Sequence, residues 1–176
     1  MAELIRALVL DPKSEGISDL AELLLYAASR AQHVNEKIKP SLGRGIHVVC
    51  DRYTASTWAY QGYGRNIDLG IINQVTKIAS AGCEPDLTIY LKVPLQVAAG
   101  RRVARSQSPD RVEMEGEGFQ RRVASGYEKL AESDTLKGVV LDGSKSQKDI
   151  ADEVWRNLLN RWPHFPSTKN HGCLQT

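Results

Sequence analysis

An acid and an arginine directly follow an apolar run in the first third of the chain. Residues 46–50 are apolar apart from His47, and Asp51 and Arg52 come next. A continuous apolar run of this length predicts a buried strand of a parallel sheet. Because ligands of open α/β sheets bind beyond the carboxyl ends of the strands, Asp51 and Arg52 are candidate site residues. A buried ion pair that locks the loop explains them equally well.

The residues that follow carry groups that suit a nucleotide. Tyr60 offers an aromatic face, Gln61 an amide for a base edge, and Arg65 a guanidinium for phosphate. Gly62 and Gly64 predict a flexible turn around that arginine. This combination indicates a nucleotide-binding site.

An upstream helix supplies a second candidate wall. Tyr26 and Arg30 are four residues apart and therefore share one helix face. Taken alone, they are best explained by a core tyrosine and an arginine that reaches solvent. Together with Arg52, an aromatic ring and a guanidinium on one face suit a planar base that bears carbonyl groups.

Arginines cluster again around a polar segment. Arg101, Arg102 and Arg105 end a predicted helix, and Arg111 follows a stretch that contains Pro109 and is predicted to be a mobile loop. One interpretation is a solvated face with cations at a helix carboxyl end. The other is phosphoryl transfer, in which cations arrive with loop closure and neutralise the transferred group.

One apparent phosphate loop is rejected on its spacing. Gly138 and Gly143 precede Ser144, Lys145 and Ser146, but residues 139–142 predict a strand where the true motif forms an anion-binding turn. No other Gly-Lys-Ser/Thr sequence occurs in the 176 residues.

Alternating helices and strands must position these groups. Periodicity predicts helices over residues 4–9, 19–42, 54–60, 67–81, 94–105, 119–132 and 147–162. Strands are predicted over 46–50, 87–93 and 139–141, which implies parallel β-α units with few strands. Asp19 and Glu22 resemble a capping box. The buried stripe of the long helix is predicted to comprise Leu20, Leu23, Leu24, Ala27, Ala31, Val34 and Ile38.

Composition narrows the class of protein. The chain has 176 residues, of which 41% are hydrophobic and 25% charged, which predicts one domain. A net charge of +2 provides no argument for nucleic-acid or membrane partners. Three dispersed cysteines argue against zinc and disulfides. Without a signal peptide or membrane span we expect a cytoplasmic protein, and residues 163–176 are expected to be a disordered tail.

From residue 1 to about 161, the chain resembles the bacterial thymidylate kinase family, which consists of P-loop kinases of a nucleoside monophosphate. Residues 23–33 resemble its thymine-binding helix, and Asp51-Arg52-Tyr53 resembles its Asp-Arg motif. Several further segments match in order: Ser56, Thr57, Tyr60, Gln61, residues 85–88 and residues 142–144.

The resemblance implies phosphorylation of dTMP to dTDP by ATP, with Mg²⁺ and a possible homodimer. According to this resemblance, Tyr26 stacks on the base, Arg30 donates a hydrogen bond to a carbonyl of the base, and Arg52 holds the monophosphate. The other implied roles are as follows: Asp51 for phosphate and magnesium, Thr57, Tyr60 and Gln61 for the nucleoside, Arg105 and Arg111 for catalysis in a lid at about 101–116, and Arg101, Asp142, Gly143 and Ser144 for ATP.

The implied fold is a three-layer αβα P-loop NTPase with a parallel sheet of order 2-3-1-4-5. Against that pattern, residues 1–162 are expected to lack the first two strands, including the central one, and the phosphate loop with its helix. Three hypotheses are open: a kinase whose start was lost, a non-catalytic remnant that binds thymidine nucleotides, and a subunit that works only with a partner.

Overall fold

The computed structural model describes residues 1–14, 16–104, 108–133 and 137–165, without the side chains of residues 102 and 103. Arg105 and nearly all of the predicted tail therefore lie outside the described residues. None of the helices in the described ranges combines the length and apolar character that crossing a bilayer requires.

The first part of the chain is a helical hairpin. Helix α1 (Ala2–Leu10) packs on α2 (Asp19–His33), and the helical path continues through a π-helical segment, π1 (Val34–Ile38), into α3 (Lys39–Gly43). The span predicted over 19–42 is confirmed. The predicted capping box is wrong, because Ser18 is the N-cap and its Oγ accepts from Ala21 N.

The predicted buried stripe of this long helix is only partly correct. Leu23, Ala27, Val34 and Ile38 are buried, and Ala31 is half-buried. Leu20 and Leu24 are exposed, because they lie on the helix face that no other described element covers, whereas Glu22 is buried.

The main core lies between two helical segments. A short α4 (Thr54–Thr57) continues as a second π-helix, π2 (Trp58–Gly64), which packs against α7 (Glu117–Glu132). A Cβ at Gly64 would come within 2.7 Å of Phe119, so only glycine permits this approach. The buried cluster consists of Ala55, Ala59, Tyr90, Val112, Phe119, Val123 and Leu130.

The sheet contains two parallel strands within the described residues. Strand β1 (Thr88–Lys92) pairs with β2 (Gly138–Asp142) along its whole length. The predicted strand at 46–50 is wrong: this segment is irregular, and Val49 is 83% exposed. A strand requires a hydrogen-bonding neighbour, and no described strand lies beside it.

The remaining helices begin and end close to their predicted bounds. They are α5 (Leu69–Ser80), α6 (Leu95–Ala104) and α8 (Gln147–Arg161). Asp68 caps α5 by accepting from two backbone amides, and Ser146 caps α8. These side-chain caps determine where both helices begin.

Candidate functional site

Asp51 and Arg52 lie at the surface where the chain enters α4. Arg52 adopts a left-handed backbone conformation with φ of 67°, and its Nη1 donates to Tyr60 Oη at 2.9 Å. Its guanidinium carbon lies 5.2 Å from the centroid of the Tyr60 ring. No described residue donates a hydrogen bond to the Asp51 carboxylate. The buried ion pair considered for these two residues is wrong, because both are exposed.

An aromatic ring from α7 supports the Arg52–Tyr60 pair. The Tyr127 ring meets the Tyr60 ring edge to face, with centroids 6.2 Å apart, and Tyr127 Oη bonds Ser56 Oγ at 2.8 Å. Burial raises the pKa of Tyr127. We did not predict Tyr127 from the sequence. The sequence feature that could have indicated Tyr127 is its position four residues after Val123. This spacing places both side chains on the face of α7 that packs into the core.

A buried carboxylate, Glu22, joins residues from three segments. Its Oε1 accepts from Gln61 Nε2 at 2.8 Å and from Arg65 Nε at 3.2 Å. Its Oε2 accepts from Arg65 Nη2 at 2.9 Å and from Arg111 Nη2. Burial alone would raise the pKa of Glu22, but hydrogen bonds from Arg65, Gln61 and Arg111 lower it below its ordinary value. Glu22 is therefore an anion with no contact to bulk water.

The sequence predicted that Glu22 is part of a helix cap, whereas in the structure its carboxylate accepts hydrogen bonds from three other side chains. We refer to Glu22, Gln61, Arg65 and Arg111 as the Glu22 network. The signal that could have revealed it was a charged residue within the apolar stripe, four residues before the candidate Tyr26 and on the same helix face.

The two arginines of the Glu22 network have further partners. Arg65 also pairs with Asp19 at 3.4 Å and Glu115 at 2.6 Å, and its guanidinium carbon lies 4.6 Å from the Phe119 ring centroid. The flexible turn predicted for residues 62–65 is wrong, because Gly62 and Gly64 are buried within π2. In the described conformation Arg65 is fully engaged by protein carboxylates.

Arg111, predicted as a lid residue, lies against the carboxyl end of α1. Its Nε donates to Val9 O at 2.8 Å, and its backbone amide donates to Leu10 O at 3.1 Å. The turn around it is closed by Asp110, whose Oδ1 accepts from Val112 N and Glu113 N. Thus, Arg111 bridges α1 and the Glu22 network.

Tyr26 and Arg30 are both largely withdrawn from solvent. Burial raises the pKa of Tyr26 to about 12, with the Glu22 charge as the next contribution. Arg30 Nη2 donates to Tyr53 O at 3.1 Å, whereas its Nη1 is buried and has no hydrogen-bond partner among the described residues. Burial lowers the pKa of Arg30. The alternative in which Arg30 reaches solvent is therefore wrong.

A separate group forms beyond the carboxyl end of β2. Arg101 Nη1 donates to Gly143 O at 2.8 Å, and its Nη2 donates to Ser144 O at 3.4 Å. Asp142 Oδ1 accepts from Ser144 N and Ser144 Oγ, which lowers the pKa of Asp142. The four residues assigned to ATP by resemblance therefore form one group, in which Arg101 and Asp142 both bond to Ser144. The rejection of the apparent phosphate loop is confirmed, because β2 spans Gly138–Asp142 and Lys145 pairs with Glu153.

The second π-helix places consecutive residues in two of these groups. Tyr60 turns toward Arg52, and Gln61 turns toward Glu22, while Thr57 is buried one turn earlier. Inserted π turns are frequent at functional sites. The arrangement can bind a planar, anionic ligand, because it combines aromatic faces, an amide and guanidinium groups.

The described residues offer few side-chain ligands for a metal ion. Within the described ranges, no group of three or more His, Cys, Asp or Glu side chains could hold one. Mg²⁺ is often held by one or two carboxylates together with substrate phosphates. The exposed Asp51, whose carboxylate accepts no hydrogen bond from a described residue, fits that mode.

Comparisons with known proteins agree with the resemblance noted in the sequence. The family model described as thymidylate kinase matches residues 1–154. The thymidylate kinase of Nostoc punctiforme is 44% identical over 156 residues, which cover 88% of this chain and 74% of that protein. That of Geotalea daltonii is 44% identical over 167 residues, covering 92% and 78%. That of Solidesulfovibrio magneticus is 40% identical over 161 residues, covering 88% and 77%.

Proposed function

The chain belongs to the thymidylate kinase family, and we propose that it binds dTMP between the Arg52–Tyr60 pair and the Glu22 network as the acceptor of a phosphoryl group from ATP. In this arrangement the nucleotide's phosphate meets Arg52 and its base meets Tyr26, Arg30 and Gln61. Thr57 lies beneath the nucleoside on α4.

The exposed guanidinium of Arg52 is the observation that carries this proposal. Its Nη1 donates to the uncharged Tyr60 phenol, and no described carboxylate forms an ion pair with it, so its positive charge can attract phosphate oxygens. The left-handed backbone at Arg52 is unusual for a residue with a side chain, and such conformations concentrate at ligand sites. The fold therefore holds an arginine at the surface, where an anion can reach it.

The catalytic role of the arginines at the proposed site is to neutralise charge and to position the reacting groups. Phosphoryl transfer demands little covalent chemistry from the protein and depends on cations placed around the transferred group. We assign this role to Arg52, Arg105 and Arg111, and the ATP side to Arg101, Gly143 and Ser144 with Asp142. Mg²⁺ held by Asp51 and the substrate phosphates would neutralise further charge when bound.

For the overall architecture, we propose the three-layer αβα fold of the P-loop NTPases. Two features support it: β1 is paired on one side only among the described strands, and residues 46–50 are apolar but exposed. A strand placed between them would give both segments a hydrogen-bonding neighbour.

The test separates recognition of the phosphate from recognition of the nucleoside. We expect Arg52→Ala to weaken dTMP binding at least about ten-fold, since a hydrogen bond to a charged group contributes about 1.5–3 kcal/mol. Thymidine, which lacks the phosphate, should bind wild type and Arg52→Ala equally. Titration calorimetry measures both ligands, and a coupled assay follows dTDP formation. The exposed Arg156→Ala on α8 serves as the matched control.

Equal weakening of dTMP and thymidine binding by Arg52→Ala would remove the phosphate role from Arg52. Failure of the wild-type chain to bind dTMP would refute the proposed site as a whole.

A further inference from the structure

The buried Glu22 carboxylate carries an inference that rests on the proposed function and extends it to base selection. We propose that Glu22 is a positioning residue that selects the pyrimidine base by fixing the orientation of the Gln61 side-chain amide. Glu22 would thus act through Gln61 without touching the nucleotide itself.

The orientation of Gln61 follows from the chemistry of its neighbour. An ionised carboxylate only accepts hydrogen bonds, so the group that Gln61 turns toward Glu22 must be its amide nitrogen. Gln61 Nε2 lies 2.8 Å from Glu22 Oε1, and both residues are buried. The Gln61 oxygen, Oε1, must point the other way, and it accepts no hydrogen bond from any described residue. That oxygen is left to a ligand.

The carboxylate itself is held from several sides. Arg65 donates to both of its oxygens, and Arg111 donates to Oε2. Arg65 is anchored in turn by Glu115, and Arg111 by Val9 O. Because every anchor is part of the folded chain, Gln61 is oriented before a nucleotide arrives.

An acceptor in this position distinguishes two classes of pyrimidine. Thymine and uracil carry N3–H, which donates a hydrogen bond to an amide oxygen. Cytosine has an unprotonated N3 that only accepts, so two acceptors would face each other and one buried polar group would stay unpaired. A site that leaves a buried polar group without its partner rejects the wrong ligand strongly. Glu22 therefore favours bases of the imide type over cytosine.

The experiment compares the affinities of dTMP and dCMP in matched variants. Glu22→Gln keeps the shape of the side chain but introduces an amide that donates as well as accepts. Gln61 can then turn its own nitrogen toward the base, and we expect the ratio of dCMP to dTMP dissociation constants to fall about ten-fold. Asp19→Asn is the control, because Asp19 lies on the same helix and pairs with Arg65 without contacting Gln61.

A double-mutant cycle tests whether Glu22 acts through Gln61. In a Gln61→Leu background, which has no amide to orient, adding Glu22→Gln should leave the dCMP to dTMP ratio unchanged. Circular dichroism and thermal melting establish which variants fold. If Glu22→Gln does not fold, the test uses Gln61→Leu alone. The ratio of the dCMP to dTMP dissociation constants must then fall in Gln61→Leu.

The outcomes separate this proposal from the proposed function. If wild type prefers dTMP and folded Glu22→Gln keeps the same preference, Glu22 does not select the base. The proposal is also overturned if Gln61→Leu discriminates between dTMP and dCMP as strongly as wild type does. If wild type binds neither nucleotide, the proposed site itself fails.

Discussion

At the scale of single residues, Glu22 shows how this chain keeps a charge out of contact with water. Its side chain is 1% exposed, and removing a carboxylate from water costs several kcal/mol unless donors replace the lost hydration. Gln61, Arg65 and Arg111 supply those donors. Removal of the charge leaves two partly buried guanidinium groups with fewer partners, so Glu22 is expected to matter for stability as well as for base selection.

The stability contributed by Glu22 should depend on pH. Its pKa in the folded chain lies below the ordinary value of 4.5, so its contribution is complete above that value and is lost as pH falls through the folded pKa. We expect Glu22→Gln to lower the free energy of unfolding by about 3 kcal/mol at pH 7. Urea denaturation at pH 7, 5 and 3 should show this difference shrinking toward acid.

Asp19→Asn is the control for the pH series as well. Asp19 is 53% exposed, so we expect a change below about 1 kcal/mol at every pH. A Glu22→Gln deficit of constant size from pH 7 to pH 3 would contradict an ionised, donor-saturated Glu22.

At the scale of elements, the packing of π2 against α7 determines where Tyr60 and Gln61 point. The two segments approach closely because glycines lie at their contact. A Cβ on Gly126 would lie 2.7 Å from the Tyr63 ring, and one on Gly64 would lie 2.7 Å from Phe119. Side chains at either position would push π2 away from the core and move both site residues with it.

Two glycines of α7 provide a matched pair of substitutions. Gly126→Ala should destabilise the chain by about 1–3 kcal/mol, because the added methyl overlaps Tyr63. Gly118→Ala should stabilise it by about 0.5–1 kcal/mol, since its Cβ meets only the end of Arg122 at 3.7 Å and alanine favours helix. Thermal and urea unfolding measure both. A stabilising effect of Gly126→Ala would mean that π2 and α7 do not pack as described.

At the scale of the whole molecule, the sheet is small relative to its helices. Only β1 and β2 pair within the described ranges, and residues 46–50 lie outside the sheet. Residues 46–50 nevertheless lead directly to Asp51 and Arg52, so their conformation affects the proposed phosphate site. The exposure of Val49 in this segment can be checked by a single substitution.

Valine-to-threonine substitutions show whether a side chain is exposed or buried, because they add a hydroxyl with little change of shape. Val49 is 83% exposed, so Val49→Thr should alter the free energy of unfolding by less than about 0.5 kcal/mol. Val123 is 4% exposed, and Val123→Thr should cost about 1–3 kcal/mol because it buries a hydroxyl. Equal costs in urea denaturation would indicate that residues 46–50 form a buried strand.

Local sequence alone determined most helices and the two strands β1 and β2. Side-chain periodicity and capping act within a single segment, so α5, α6, α7 and α8 end near their predicted bounds. The motif around Asp51 and Arg52, together with the segment of Tyr26 and Arg30, likewise indicates the family from sequence alone.

Only the tertiary structure decided the partners of Glu22, Arg65 and Arg111 and the state of residues 46–50. Glu22 meets Gln61 and Arg111 across separations of 39 and 89 residues, which no local pattern encodes. A strand, unlike a helix, takes its hydrogen bonds from another segment, so an apolar run becomes one only where a neighbour is present.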